Sequence, residues 1–238
     1  MAINFQPIYV LASGGKRALE QLNITTNNIA NVDTPGFKKI LLKEMSQYIP
    51  KNQGDTKDLF VFPRFEASPV VLQQGQLEET GEPLDLAIQG DGFFNIQTPN
   101  GTVYTRDGHF FLDPEGYIVD ARGNYLLDEG GNRIQLESTE NLSISQLGEI
   151  FQNGELVTII KISNFTDVIP IGGNYYRPNG NEIPAEVVIN QGFLEKSNVN
   201  PVKEMISLID AQRRFEIYGT LMRSLDAMEQ KANEIGRA

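Results

Sequence analysis

At 238 residues, with 40% hydrophobic and 21% charged residues, the chain is long enough for one large or two small folded domains, and it is too apolar to be disordered. A formal net charge of −11 argues against nonspecific binding to nucleic acid or to an anionic membrane, and the absence of cysteine excludes disulfides, zinc–thiolate sites and thiol nucleophiles. There is no apolar run of about 18 residues, so no membrane-spanning helix is expected.

The opening Met-Ala-Ile-Asn-Phe-Gln-Pro has neither a basic n-region nor an apolar h-region, so no cleaved secretory signal is expected there. Small or apolar residues then recur at Ile8, Leu11, Gly15, Ala18, Leu22, Thr25, Ile29 and Val32, in steps of three and four. That is the seam of a helix packed on another helix. Lys16, Arg17, Glu20, Asn27 and Asn28 fall off the seam. The helix should stop before Pro35, which disfavours helical geometry at Thr34, and Pro35-Gly36 suits the centre of a type II turn. Phe37 follows as an apolar anchor. A β-branched residue at Gly36 is expected to damage assembly more than the β domain.

From Tyr48 to Pro69 the chain is rich in turn residues around Phe60, Phe62 and Phe65, and it reads as an extended connection. Residues 70–190 read as all-β. Short apolar runs alternate with turn signals such as Pro99-Asn100-Gly101, Asp107-Gly108, Asp113-Pro114-Glu115-Gly116, Arg122-Gly123-Asn124 and Asn153-Gly154. Such spacing indicates antiparallel hairpins, although no fixed-period repeat is evident. The C-terminal helix is the clearest element. Asn200 suits the N-cap, Pro201 the first helical position, and Glu204 the positive helix end. Its stripe runs Met205, Leu208, Ala211, Phe215, Tyr218, Met222, Leu225, Met228, Ala232 and Ile235, with Ile206, Ile209, Ile217 and Leu221 outside that line. Gly219 is unfavourable in mid-helix and suggests a close helix approach.

The sequence offers little for catalysis. The single histidine, His109, follows Asp-Gly in a hairpin segment and reads as a structural residue. Gly90-Asp91-Gly92 lacks the third glycine and the helix of a dinucleotide loop. Asp107, Asp113 and Glu115 do not match a calcium-loop spacing, and Asp85 with Asp91 has no supporting glycosidase feature. No catalytic, metal or cofactor site is expected.

Three stretches carry a resemblance. Ala30-Asn31-Val32-Asp33-Thr34-Pro35-Gly36-Phe37-Lys38 resembles the signature of bacterial flagellar rod and hook proteins. Residues 80–94 with Tyr104-Thr105-Arg106-Asp107-Gly108 are similar to that family's central motif, and residues 191–202 to its C-terminal motif. The resemblance implies an α+β fold in which long terminal helices pair as an antiparallel coiled coil around a central antiparallel β domain. The divisions are 1–38 (helix and turn), 39–69 (connection), 70–190 (β domain) and 191–238 (C-terminal helix). In this family the helical part forms the inner tube and the β part lies outside.

The implied role is a structural subunit of the basal-body rod, which transmits torque across the periplasm. Ala211-Gln212-Arg213-Arg214-Phe215-Glu216 resembles the proximal-rod type more than the distal one. Expected partners are other rod proteins, possibly a second copy, and the flagellar type III export apparatus, with no nucleic acid and no membrane insertion. Interface candidates are Ile8, Leu11, Leu22, Ile29, Asn31, Pro35, Gly36, Phe37, Met205, Leu208, Phe215, Tyr218, Met222, Leu225 and Met228. Competing readings are a peptidoglycan-acting enzyme, which needs two carboxylates at a cleft, and a β-rich binding module. Neither accounts for the helix–turn motif.

Overall fold

The computed structural model describes residues 6–47, 62–67 and 69–235. Among them the chain is α+β, with helix α1 (Gln6–Ala30), helix α2 (Pro201–Ile235) and antiparallel strands between. It divides into two compact units. The described residues within Met1–Ala30, Ile40–Pro69 and Asn200–Ala238 form a helical unit, and Asn31–Lys39 with Val70–Val199 form a β unit. This differs from the division read from the sequence: residues 31–38 and 191–199 belong to the β unit. Their backbone bonds explain why, as described below.

In the helical unit, α2 starts as its cap residues dictate. The Asn200 side chain accepts from the Lys203 amide at 3.0 Å, with Pro201 in the first turn. The helices run antiparallel. The Asn28 side chain meets Glu204 at 3.2 Å, and Gly14 lies against Tyr218. Gly14, Gly15, Ala18 and Thr25 are buried on α1, and Glu204 and Ala211 on α2. Asn28, which falls off the three- and four-residue seam, is nonetheless only 1% exposed. Its amide exchanges two bonds with the Ile40 backbone, at 2.9 and 3.0 Å, so it is buried as a backbone partner and not as an apolar residue. The connection also departs from expectation. Lys43–Gln47 pairs antiparallel with Phe62–Ala67, while residues 48–61 and 68, including Phe60, lie outside the described residues.

The β unit is organised on Phe93–Thr98. This strand pairs with Gly101–Thr105 on one edge, and on the other with Tyr125–Leu126 and Ile162–Phe165 in tandem. Alternation sends its side chains to two faces. Phe94 and Ile96 enter the main core with Leu86, Ile88, Ile118, Leu126, Ile150 and Ile189, whereas Phe93 enters a smaller one with Phe165, Val168 and Tyr176. Hairpins fall at Asn100-Gly101 and at Asn153-Gly154, where both latter residues take positive φ between Glu149–Gln152 and Glu155–Ile159. Asp107-Gly108, read as a turn signal, joins Gly101–Thr105 to Phe111–Leu112, which pair with other strands and not with each other.

The β unit also contains a repeated turn. Asp113, Asp120, Asp128 and Ser145 each open a five-residue turn with glycine at the fourth place. In each, the glycine amide bonds back to the first carbonyl, and the first amide bonds to the fifth carbonyl. The first residue's side-chain oxygen accepts the fifth amide, at 2.7 to 3.2 Å. The carboxylates of Asp113, Asp120 and Asp128 thus hold turns. Their spacing is irregular, so no fixed period reveals the repeat.

Candidate functional site: a buried charge cluster and an open helical face

The signature turn is closed by the Phe37 amide bonding to the Thr34 carbonyl, with Pro35 and Gly36 at its centre. Gly36 has φ +66°, and a Cβ there would lie 2.2 Å from the Arg106 carbonyl carbon and 2.4 Å from the Asp107 nitrogen. The residue is thus fixed both by conformation and by main chain packed against it. This corrects one expectation: a valine at 36 strikes the backbone of the β unit itself, so its damage begins there. Past the turn the chain runs between two segments of the same unit. The Gly36 amide donates to the Glu195 carbonyl, the Lys39 amide to the Asn198 side chain at 2.7 Å, and the Val71 amide to the Lys39 carbonyl at 2.8 Å.

Lys38 then points inward, 1% exposed. Its Nζ is 2.5 Å from Glu195 Oε1 and donates to the Gln73 carbonyl at 3.0 Å. The same carboxylate oxygen accepts the Gly75 amide at 2.7 Å. Its second oxygen meets Arg106 at 3.4 Å, and the guanidinium also donates to the carbonyls of Ile88 and Gly90. Phe93 lies against Arg106, its ring centroid 5.5 Å from the guanidinium carbon. Burial lowers the pKa of both Lys38 and Arg106, and Glu195 opposes that shift in each. Two cations share one carboxylate and also donate to the backbone carbonyls of Gln73, Ile88 and Gly90, while the buried Arg106 Nε has no hydrogen-bond partner among the described residues. Each of the three motif stretches supplies one member: Lys38, Arg106 and Glu195. None was singled out from the sequence, because separations of 157 and 89 residues leave no local signal.

The candidate interface residues fall into two groups. Gly36 and Phe37 are buried inside the β unit, with Asn31 and Pro35 partly covered. In the helical unit, Leu11, Leu22, Ile29, Leu208, Tyr218, Met222 and Leu225 are half-buried, whereas Met205, Phe215 and Met228 are exposed. Ile8 lies on α1. The residues outside the original stripe prove equally open: Val202, Ile206, Ile209, Ile217 and Leu221 are all 45–65% exposed. Their spacing was visible, but which side of α2 meets α1 was not. Gly14, and not Gly219, is the glycine of close approach between α1 and α2: a Cβ on Gly14 would lie 2.5 Å from the Tyr218 ring, while among the described residues nothing lies within 4 Å at Gly219. His109 Nδ1 donates to the Asp85 carboxylate, Nδ1 to Oδ1 2.6 Å, with its ring edge-to-face on Phe111.

The β unit thus buries one charge cluster within itself, and the helical unit offers apolar side chains to solvent. This is the layout of a structural assembly subunit. Three family models match the chain: a flagella basal body rod protein model over residues 8–38, a flagellar hook protein FlgE/F/G D1 domain over 87–152, and the flagellar basal body rod FlgEFG protein C-terminal region over 190–235. Similar whole proteins include the flagellar basal-body rod protein FlgF of Mesorhizobium japonicum, 35% identical with 94% of this chain and 95% of the relative covered. FlgF of Caulobacter vibrioides is 33% identical, with 95% and 96% covered. FlgG of Bacillus subtilis is 31% identical, with 97% and 98% covered. The chain belongs to the flagellar basal-body rod protein family, as a structural subunit and not an enzyme. Within the family the similarity fits the FlgF type, with FlgG second.

Proposed function

We propose that this chain is a proximal-rod subunit that stacks with other axial proteins through its helical unit. The observation that carries this is the apolar flank of α2 left open by α1, with Ile206, Ile209, Ile217 and Leu221 each about half exposed. On this reading α1 and α2 pack as an antiparallel coiled coil. Support comes from the three- and four-residue steps of Gly15, Ala18, Leu22 and Thr25 and from Gly15 lying against Tyr218 and Met222. The subunit reaches the periplasm through the flagellar type III export apparatus without losing a leader. Among the described residues no helix is long and apolar enough to cross a membrane, which fits a rod component held by its neighbours.

The test is a deletion strain complemented with wild type or with Ile209→Asp/Ile217→Asp. Wild type should restore swimming and complete rods in negatively stained basal bodies. The double variant should restore neither, although the purified protein keeps its helicity and melting temperature. Complete rods with the double variant would overturn the stacking role. A processed N-terminus on protein recovered from rods would overturn the export route.

A further inference from the structure

The β unit carries a cleft of about 720 Å³, lined by residues 112–116, 135–137 and 152–157. That is within the size range of clefts that hold ligands. Leu136 and Gln152 are its buried members, and Leu156 and Val157 stand open at 54% and 42% exposure. As neighbours on one strand these two face opposite sides, so both faces of the strand are open there. The strand, Glu155–Ile159, is the last of a three-stranded sheet with Leu142–Ile144 and Glu149–Gln152. Among the described residues its outer edge is met only at the far end, where the Glu129 amide bonds the Ile159 carbonyl. The main-chain groups of 155–157 on that edge are left to water, and neither proline nor lysine guards them. The cleft is also acidic. Asp113, Glu115, Glu137 and Glu155 line it, with no lysine or arginine. Asp113 is engaged by the amides of its own turn, at 2.7 and 3.0 Å. The three glutamates are exposed and make no ion pair among the described residues.

We infer that this cleft takes an extended segment of a partner protein, in which lysine or arginine alternates with apolar residues, added as a further strand beside residues 155–157. Three features select that occupant together. The open edge supplies main-chain bonds that only an extended chain can use. Leu112, Leu156 and Val157 supply apolar contact for every second side chain. The unpaired glutamates attract cationic side chains and repel an acidic segment. A small organic cation would meet the charge and leave the edge unpaired. The inference concerns the β unit and does not rest on stacking through the helical unit.

The test uses purified full-length protein and the fluorescence anisotropy of a labelled peptide of alternating lysine and valine. Wild type should bind it, less tightly as salt rises. A lysine–glycine peptide of equal charge should bind about tenfold more weakly, for want of apolar contact. Glu115→Gln/Glu137→Gln/Glu155→Gln should weaken lysine–valine binding by about tenfold, and Leu156→Lys should weaken it too. The same change at three exposed carboxylates outside the cleft, Glu79→Gln/Glu82→Gln/Glu186→Gln, should leave binding within about twofold. All these residues are exposed, so every variant should melt as wild type does. Absence of binding by wild type would overturn the inference, as would equal binding of the lysine–glycine peptide. So would an equal loss from the variant outside the cleft, which marks attraction to the net charge of −11 alone. Self-association of wild type that the cleft variant abolishes would put a second copy there instead, and would also overturn it. Peptide binding and rod completion are read separately, so either reading can fail while the other stands.

Discussion

Glu195 accepts from Lys38, Arg106 and the Gly75 amide while 1% exposed, so its charge cannot be replaced by water. Glu195→Gln keeps the shape but leaves two buried cations without a counter-charge. We expect a loss of about 3–5 kcal/mol of β-unit stability, read from urea unfolding of the full chain. Lys38→Met should cost less, because Glu195 then still pairs with Arg106. A second residue-scale prediction concerns alkali. Tyr175 is pushed up from 10.0 to about 12 by burial and by its hydrogen bond to Asp120, and burial raises Tyr176 as well. In such cases the folded state holds the proton more tightly. The contribution is complete below the unfolded value of 10.0 and is lost as pH rises through the folded one. Lys38 acts in the opposite sense: burial lowers its pKa, so its contribution improves until the unfolded lysine titrates near 10.5. Stability should therefore fall from pH 10 to 12, and Tyr175→Phe should make that fall shallower in melts taken across the range.

Elements with their own local signals were legible in the sequence. Both helices were, through three- and four-residue steps, the Asn200-Pro201 start and the Pro35-Gly36 stop. The hairpins at Asn100-Gly101 and Asn153-Gly154 were legible, because φ demands a residue type there whatever surrounds it, whereas Asp107-Gly108 closes no hairpin. The burial of Asn28 was not, because an amide bonding a distant backbone looks like any exposed asparagine. Nor was the side of α2 that meets α1: a stripe wide enough for several neighbours does not mark which comes from its own chain. That width has a dynamic consequence. The pairing of Asn28 with Glu204 and of Gly14 with Tyr218 runs out near the start of α1, leaving the last two turns of α2 without an α1 neighbour. Amide exchange of the isolated chain should be slow from Glu204 to Leu225 and fast beyond Ala227. Equal protection along all of α2 in a monomeric sample would show that the overhang is held by something other than α1.

At the scale of the whole molecule, the order of the three motifs framed the chain correctly, but the unit boundary could not be drawn from it. A boundary after Lys38 follows the end of a helical pattern, and periodicity is silent about where an extended strand goes next. The segment goes into the β unit: the Gly36 amide bonds the Glu195 carbonyl, Lys39 bonds Asn198 and Val71, and Lys38 fills the interior. Residues 193–195 likewise pair with 77–79, and Lys196 bonds Gln76. A fragment of residues 70–190 therefore has a core but lacks the strand Phe193–Glu195, the segment 36–39 and both of Arg106's partners in the charge cluster. Arg106 would keep the Ile88 and Gly90 carbonyls and lose its carboxylate, and the Val71 amide would lose Lys39. Cooperativity requires that such contacts form together. We expect the fragment spanning 31–199 to melt in one sharp transition, and the 70–190 fragment to melt lower and more broadly by the same calorimetric measurement. Adding Glu195→Gln should lower the longer fragment toward the shorter one and leave the shorter unaffected, since it lacks residue 195. If both fragments melt alike, residues 31–39 and 191–199 are passengers on the β unit, and the convergence of the three motifs on one cluster does not hold it closed.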